Sequence, residues 1–244
     1  AVFDFGLRCK KPRHAELLDF LAADFIESGW SFKHLHRQIV TSQAYRLNSS
    51  KRDADLKTLA SDPENQDYWR ANGRRMESQL VRDSLLLLSG RLESKMGGPS
   101  LEPNSQTTRR SLYFKHSRDQ SDKFLKMFDD ADILQCYRRS ESIVPQQALA
   151  LSNSKLAIEA SVAIAQRIAL TAKSDRSRDF IDAAFFVLLS REPTDEERHE
   201  CESFWATLSK LPEIRSMDSQ ACNERIRTRL VQSLMNHNDF ITVR

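Results

Sequence analysis

Four successive segments beyond Pro145 repeat apolar residues at helical spacing, and no other feature constrains the fold of this chain so tightly. They run over about Gln146 to Ala172, Arg176 to Ser190, Thr194 to Leu211 and Gln220 to His237. Apolar residues three and four positions apart make one stripe per helix, and such stripes are buried by packing against each other. The C-terminal part is therefore read as an α-helical bundle. Helix breakers are scarce throughout: 6 Gly and 7 Pro in 244 residues lie well below the usual ~7% and ~5%, which excludes collagen-like and linker-rich classes. Thr194-Asp195-Glu196-Glu197 after Pro193 predicts a helix start, with the Thr194 hydroxyl capping and Glu197 in the capping-box position.

The N-terminal part is helical by the same criterion. Leu17, Leu18, Leu21 and Phe25 predict a helix from about His14 to Ser28 behind Pro12, stopped by Gly29. Ser31 can cap a second helix with Phe32, Leu35, Ile39 and Val40 on one face, giving a hairpin across Gly29-Trp30. A long helix is predicted from about Arg75 to Leu92, with Met76, Leu80, Leu87 and the Leu85 to Leu88 run buried, as the central core helix. Gly97-Gly98-Pro99 breaks the pattern, and Arg109 to His116 alternates like the one strand region.

These elements give a mainly α chain: a multi-helix orthogonal or bundle domain with an irregular middle segment and at most a small β element. The divisions are a helical region over residues 1–95, an irregular region over 96–144 and a helical bundle over 145–244, together one compact domain. The longest apolar stretch, Ala183 to Leu189, is far short of the ~20 residues that span a bilayer. Ala1-Val2-Phe3-Asp4 has no signal-peptide character, so the chain reads as excised from something longer. Cysteines at 9, 136, 201 and 222 form no Cys-x-x-Cys pair, which removes zinc-ribbon, thioredoxin-like and covalent-haem readings.

Candidate chemistry is dispersed. His14 and His36 fall on apolar helix faces, about 21 Å and about 7 Å from the hairpin turn at 1.5 Å per residue, too far apart to share one metal ion. Hydrogen-bonded histidines at packing surfaces are the better reading, with His34 solvated. Asp83 sits against the apolar stripe of its helix and needs a partner, so Arg110, Arg138 or Arg139 is expected over that helix, held by Asp83 or Glu77. Asp129, Asp130 and Asp132, followed by Cys136, Arg138 and Arg139, form the densest polar neighbourhood, but the calcium-loop spacing is absent. A disulfide between Cys201 and Cys222 conflicts with helix register, whereas Cys9 with Cys136 is less excluded. Arginine clusters interleaved with Tyr68, Trp69, Tyr113 and Tyr137 raise nucleic acid as a partner, but 37 bases against 34 acids argue for an ion-paired surface.

Taken in order, the motifs resemble a known family. Asp4-Phe5-Gly6, Pro12-x-His14-x-Glu16-Leu17-Leu18-Asp19, Gly29-Trp30-Ser31, Leu35-His36-Arg37 and Asp62-Pro63-Glu64-Asn65 are followed by Arg74-Arg75, Glu77, Arg82-Asp83, Gly97-Gly98-Pro99-Ser100 and Arg110-Ser111. Phe128-Asp129, Cys136, Arg138-Arg139, Ser142, Pro145-Gln146-Gln147, Arg191-x-Pro193-Thr194 and Asn236-x-x-Asp239-Phe240 complete the series. The order resembles the planctomycete cytochrome-associated C-terminal domain of unknown function, over nearly the whole chain. Cys9 stands where that family has a Gly, and the family's opening segment is missing before Asp4.

The resemblance implies an extracytoplasmic location, in the periplasm or cell envelope, as the C-terminal part of an exported multidomain protein. It carries over Asp4, His14, His36, Glu77, Arg82, Asp83, Arg110, Asp129, Cys136, Arg138 and Arg139 as a functional or architectural signature without assigned roles. With no haem-attachment motif, no cofactor belongs to this chain, and haem would sit only in a separate partner module. The leading expectation is a non-catalytic helical interaction or scaffold module, partnered by a companion domain of the same parent or a cell-envelope protein. Alternatives are a polysaccharide-directed hydrolase or ligand-binding domain using the acid and arginine signature, and nucleic-acid binding.

Overall fold

In the computed structural model the described residues are 6–7, 11–50, 54–117, 119–133, 142 and 145–243. Asp4, Cys9, Cys136, Arg138 and Arg139 lie outside them. The chain divides into two compact units, Ala1–Arg74 with Arg244, and Arg75–Val243. Helix dominates both, as the sequence predicts, and the one small sheet among the described residues joins β1 (Arg74–Arg75) to β2 (Thr242–Val243).

The first unit is built on a helical hairpin, α1 (Ala15–Glu27) and α2 (Phe32–Thr41). Gly29 stops α1 in the left-handed region at φ 71° and Trp30 follows at φ 61°. The backbone groups freed there are recovered by Gly29 N–H donating to Ile26 O and Trp30 N–H to Phe25 O, at 3.0 and 2.9 Å. Ser31 Oγ accepts the His34 N–H at 3.3 Å and starts α2. Phe25 then packs its ring on Trp30 and Phe32, with centroids 5.4 and 5.1 Å apart. No residue of α1, α2 or α3 (Leu56–Ser61) is buried.

The second unit contains the core. Its helices are α4 (Ser78–Leu88), α5 (Lys123–Met127), α6 (Pro145–Asn153), α7 (Lys155–Thr171), α8 (Ser177–Leu189), α9 (Asp195–Leu208), α10 (Pro212–Arg215) and α11 (Ser219–Met235). Ile164 and Ile168 of α7 meet Phe180, Ile181 and Phe185 of α8 and Leu230, Val231 and Met235 of α11 in one buried cluster. The centre of the unit is thus the α7, α8 and α11 packing, and α4 joins it with Val81 and Leu85 rather than supplying its axis.

Three expectations are corrected here. The segment from Gln146 is two helices, because the Ser154 side chain accepts the Ala157 N–H at 3.2 Å and caps α7, bending the pair by 59°. Leu80 and Leu87 of α4 are 45% and 61% exposed, while Leu85 and Leu86 are buried as expected and Val81 joins them. Arg109 to His116 is not a strand: Ser111–Tyr113 is a 3-10 turn flanked by isolated bridges, Glu93 to Arg109 and Leu101 to Phe114. No single described helix is long and apolar enough to cross a membrane, and the bent α6–α7 pair that passes by length carries core residues such as Leu151, Ile164 and Ile168.

Ile164→Ala is expected to lower the unfolding free energy by about 2–5 kcal/mol, whereas Leu87→Ala should change it by under about 0.5 kcal/mol. Urea titration of both variants checks the assignment of the core, and equal losses would contradict it.

Candidate functional site

The polar signature of the second unit centres on two neighbours in the middle of α4. Arg82 has a side chain only 6% exposed, a position where an unpaired guanidinium would be costly. It donates to Arg109 O at 2.9 Å, Thr107 O at 2.5 Å and Ser111 Oγ at 3.2 Å, and lies 4.8 Å over the Phe114 ring. Burial lowers its pKa, with the Asp83 and Asp122 carboxylates opposing that shift. Asp83 accepts the Ser111 N–H at 2.9 Å and the Ser111 hydroxyl at 2.6 Å, and Arg110 Nε stands 3.8 Å from its other oxygen. The expected pairing of Asp83 with Arg110 is present, and the stronger partner is Ser111. Side by side, these two residues clamp the backbone of residues 107–111.

Asp129 adopts a left-handed conformation, φ 56°, that turns its carboxylate back on its own chain. Ser142 donates its N–H and its hydroxyl to it, both at 2.7 Å, and Gln147 Nε2 is 3.4 Å away. Gln147 Oε1 in turn accepts from Arg75 at 2.5 Å, so Arg75, Gln147 and the signature residue Asp129 form one chain of hydrogen bonds. Asp130 accepts from Gln79 Nε2 at 2.6 Å and from Ser78 Oγ at 3.3 Å, with His116 Nδ1 3.9 Å away. Glu77 and Asp132 are also engaged. These carboxylates bind donors of the protein itself.

In the first unit, His14 Nε2 lies 2.9 Å from Gln66 O, and Arg13 holds Asp67 through two contacts of 2.8 Å. The target is the turn made by Asp62-Pro63-Glu64-Asn65, where Asp62 accepts the N–H groups of Gln66 and Asp67 at 2.8 Å each. Those backbone bonds are the main cause that holds the Asp62 carboxyl below the usual range. His36 stacks near Phe32, with centroids 6.4 Å apart, and remains exposed. His34, read as solvated, contacts Asp24 at 2.8 Å. Among the described residues no three His, Cys, Asp or Glu side chains are placed to hold a metal ion.

Sequence reasoning missed a third cluster. Arg191 donates to Asp239 Oδ2 at 2.8 Å and grips Glu197 with both terminal nitrogens, at 2.7 and 2.5 Å. Glu197 also accepts the Thr194 N–H at 2.8 Å while Thr194 Oγ accepts the Glu197 N–H at 3.2 Å, which completes the predicted capping box. The Arg191 guanidinium is the first cause that holds the Glu197 carboxyl down to about 2. The signal was available: Arg191-x-Pro193-Thr194 and Asp239-Phe240 both stand out as motifs, but 48 residues separate the partners.

The arginine and aromatic interleaving also resolves into internal contacts. Arg109 lies 4.0 Å over the Tyr113 ring and donates to Gly97 O, while Arg70 lies 5.1 Å over Trp69. Cys201 and Cys222 are free thiols, and burial, followed by the acids at 197, 200 and 202, pushes the Cys201 thiol up to about 11. A thiol so raised is a poor nucleophile.

Residues 1–205 match the model of the family PSD1, described as a protein of unknown function (DUF1553). None of the curated proteins and none of the solved structures matches the chain.

Asp83→Ala leaves Arg82 without its neighbouring carboxylate and the Ser111 N–H without an acceptor. Breaking a buried charged contact of this kind costs about 3 kcal/mol, read as an earlier urea midpoint, and Ser111→Ala should cost less. A second expectation concerns acid. Glu197 has a folded pKa below its ordinary 4.5, so the stability it contributes is complete above that pH and is lost as pH falls from about 4.5 to about 2. In Glu197→Gln the stability profile should be flatter over that window, and an unchanged profile would remove the Arg191 contact as its cause.

Proposed function

The chain belongs to the PSD1 family of proteins of unknown function (DUF1553), and we propose that it is a non-catalytic helical interaction module that packs against a companion domain of the same parent protein. One observation carries this reading. On α1, Leu17 and Leu18 are 47% and 56% exposed, and on α2, Phe32 and Ile39 are 66% and 38% exposed, although each pair sits on the apolar stripe of its helix. The α2 stripe has no acid within its helix and only one face of apolar residues, the pattern of a helix designed to be covered. Apolar surface of this extent marks a contact site for another protein.

The signature fits the same reading. Asp83 and Asp129 spend acceptor positions on Ser111 and Ser142 of their own chain. A glycoside hydrolase would instead need two carboxyl groups facing a common cleft. Of the arginines that suggested nucleic acid, Arg109 is turned to a carbonyl and a ring of its own chain and Arg70 to the Trp69 ring. Architecture, rather than chemistry, is what these side chains support.

The finer parts of the proposal come from the resemblance of motif order. The parent is an exported planctomycete protein, the module works outside the cytoplasm, and any haem belongs to a cytochrome-like neighbour rather than to this chain. Amide hydrogen exchange on the longer parent and on this chain alone tests the central claim. Residues 15–41 should exchange at least tenfold more slowly in the parent, and Phe32→Asp should abolish that difference. Equal exchange in the two proteins would overturn the companion-domain reading.

A further inference from the structure

Along one flank of the α7–α11 seam runs a groove of about 530 Å³, within the size range of small-molecule sites. It exists because short side chains lie where the two helices meet: Ala165 and Ala169, one turn apart on α7, and Ala221 in the first turn of α11. Val162, Leu170 and Met217 form its edges and are 42%, 87% and 42% exposed. Removing such edges from water favours a ligand with a hydrocarbon body.

The polar groups of the groove select the head of that ligand. Arg225 and Arg227 line it together with one acid, Glu224, which already accepts from Gln220 Nε2 at 3.2 Å. Among the described residues Arg225 has no hydrogen-bond or ion-pair partner, and it is exposed. Arg227 is fixed: it lies 5.3 Å over the Phe180 ring, its terminal nitrogen is 3.1 Å from Asp175, and its side chain is only 11% exposed. Its Nε is shielded from water and lacks a hydrogen-bond partner, a donor that an anion arriving beside it would match after a small rotation. Two cations beside one carboxylate favour a single negative charge over a phosphate dianion.

We propose that this groove binds a single-chain amphiphilic carboxylate, with its hydrocarbon along the alanine floor and its head against Arg225 beside Arg227. The groove belongs to the second unit and the α1–α2 surface to the first, and neither proposal depends on the other. Dodecanoate, titrated calorimetrically into the full chain below its micelle concentration, should bind saturably at one site, whereas acetate and dodecyltrimethylammonium should not. Ala169→Trp, which fills the floor, and Arg225→Glu, which reverses the head contact, should each weaken binding at least tenfold. Arg225→Glu changes an exposed residue, so it decides the question if Ala169→Trp fails to fold. No saturable binding, equal binding of the cationic amphiphile, or unchanged affinity in Arg225→Glu or in a folded Ala169→Trp would each overturn the proposal.

Discussion

An irregular stretch of backbone cannot be packed against a helical core unless its N–H and C=O groups find partners. Residues 96–117 form no regular ladder, and Arg82 and Asp83 solve the problem at their inner edge. One supplies donors to Thr107 O and Arg109 O, and the other supplies acceptors to Ser111. Asp122 repeats the device further on by accepting from Asn104, Phe124 and Leu125 backbone N–H groups. A basic and an acidic side chain on one turn of α4 thereby replace the hydrogen bonds that a strand would have provided.

Much of this organisation was legible in the sequence, and the limits have physical causes. The α1–α2 hairpin and the Thr194 cap were readable because their signals are local: a Gly in the left-handed region, a hydroxyl at an N-cap and a carboxylate three residues on. The inward face of α4 was not, because Leu85 to Leu88 makes nearly every direction apolar and the choice falls to the partner helix. The α6–α7 break was hidden for a related reason. Apolar spacing continues through Ser154, and only the cap to Ala157 interrupts it. Alternation over Arg109 to His116 imitated a strand because Ser111 and Phe114 turn inward to Asp83, Arg82 and the core edge. Of the signature, the Asp83 pairing was foreseen, while Asp129 with Ser142 and Arg191 with Asp239 depend on which distant segments meet.

Acids, arginines and a histidine are the usual tools of catalysis, and here several of them are engaged with main chain. Asp83, Asp129 and Asp62 each accept main-chain N–H groups, and His14 reaches a main-chain carbonyl. Side chains that bind main chain fix loop conformation regardless of what the neighbouring side chains are. The polar pattern therefore specifies the irregular loops in the way that the apolar pattern specifies the helices.

The Arg191 knot has a consequence for chain connectivity. By joining the end of α8 to Asp239 and to the first turn of α9, it closes the intervening helices into a loop tied at its base. Half-buried Ser209 and exposed Lys210, between α9 and α10, form the outer rim of that loop. A break in the chain at that rim leaves α9 held through Glu197 and α11 held through its core contacts, so the two pieces stay assembled. The last third of the second unit is thus secured at its two ends rather than by its continuity, and new termini placed at 209–210 would leave the fold intact.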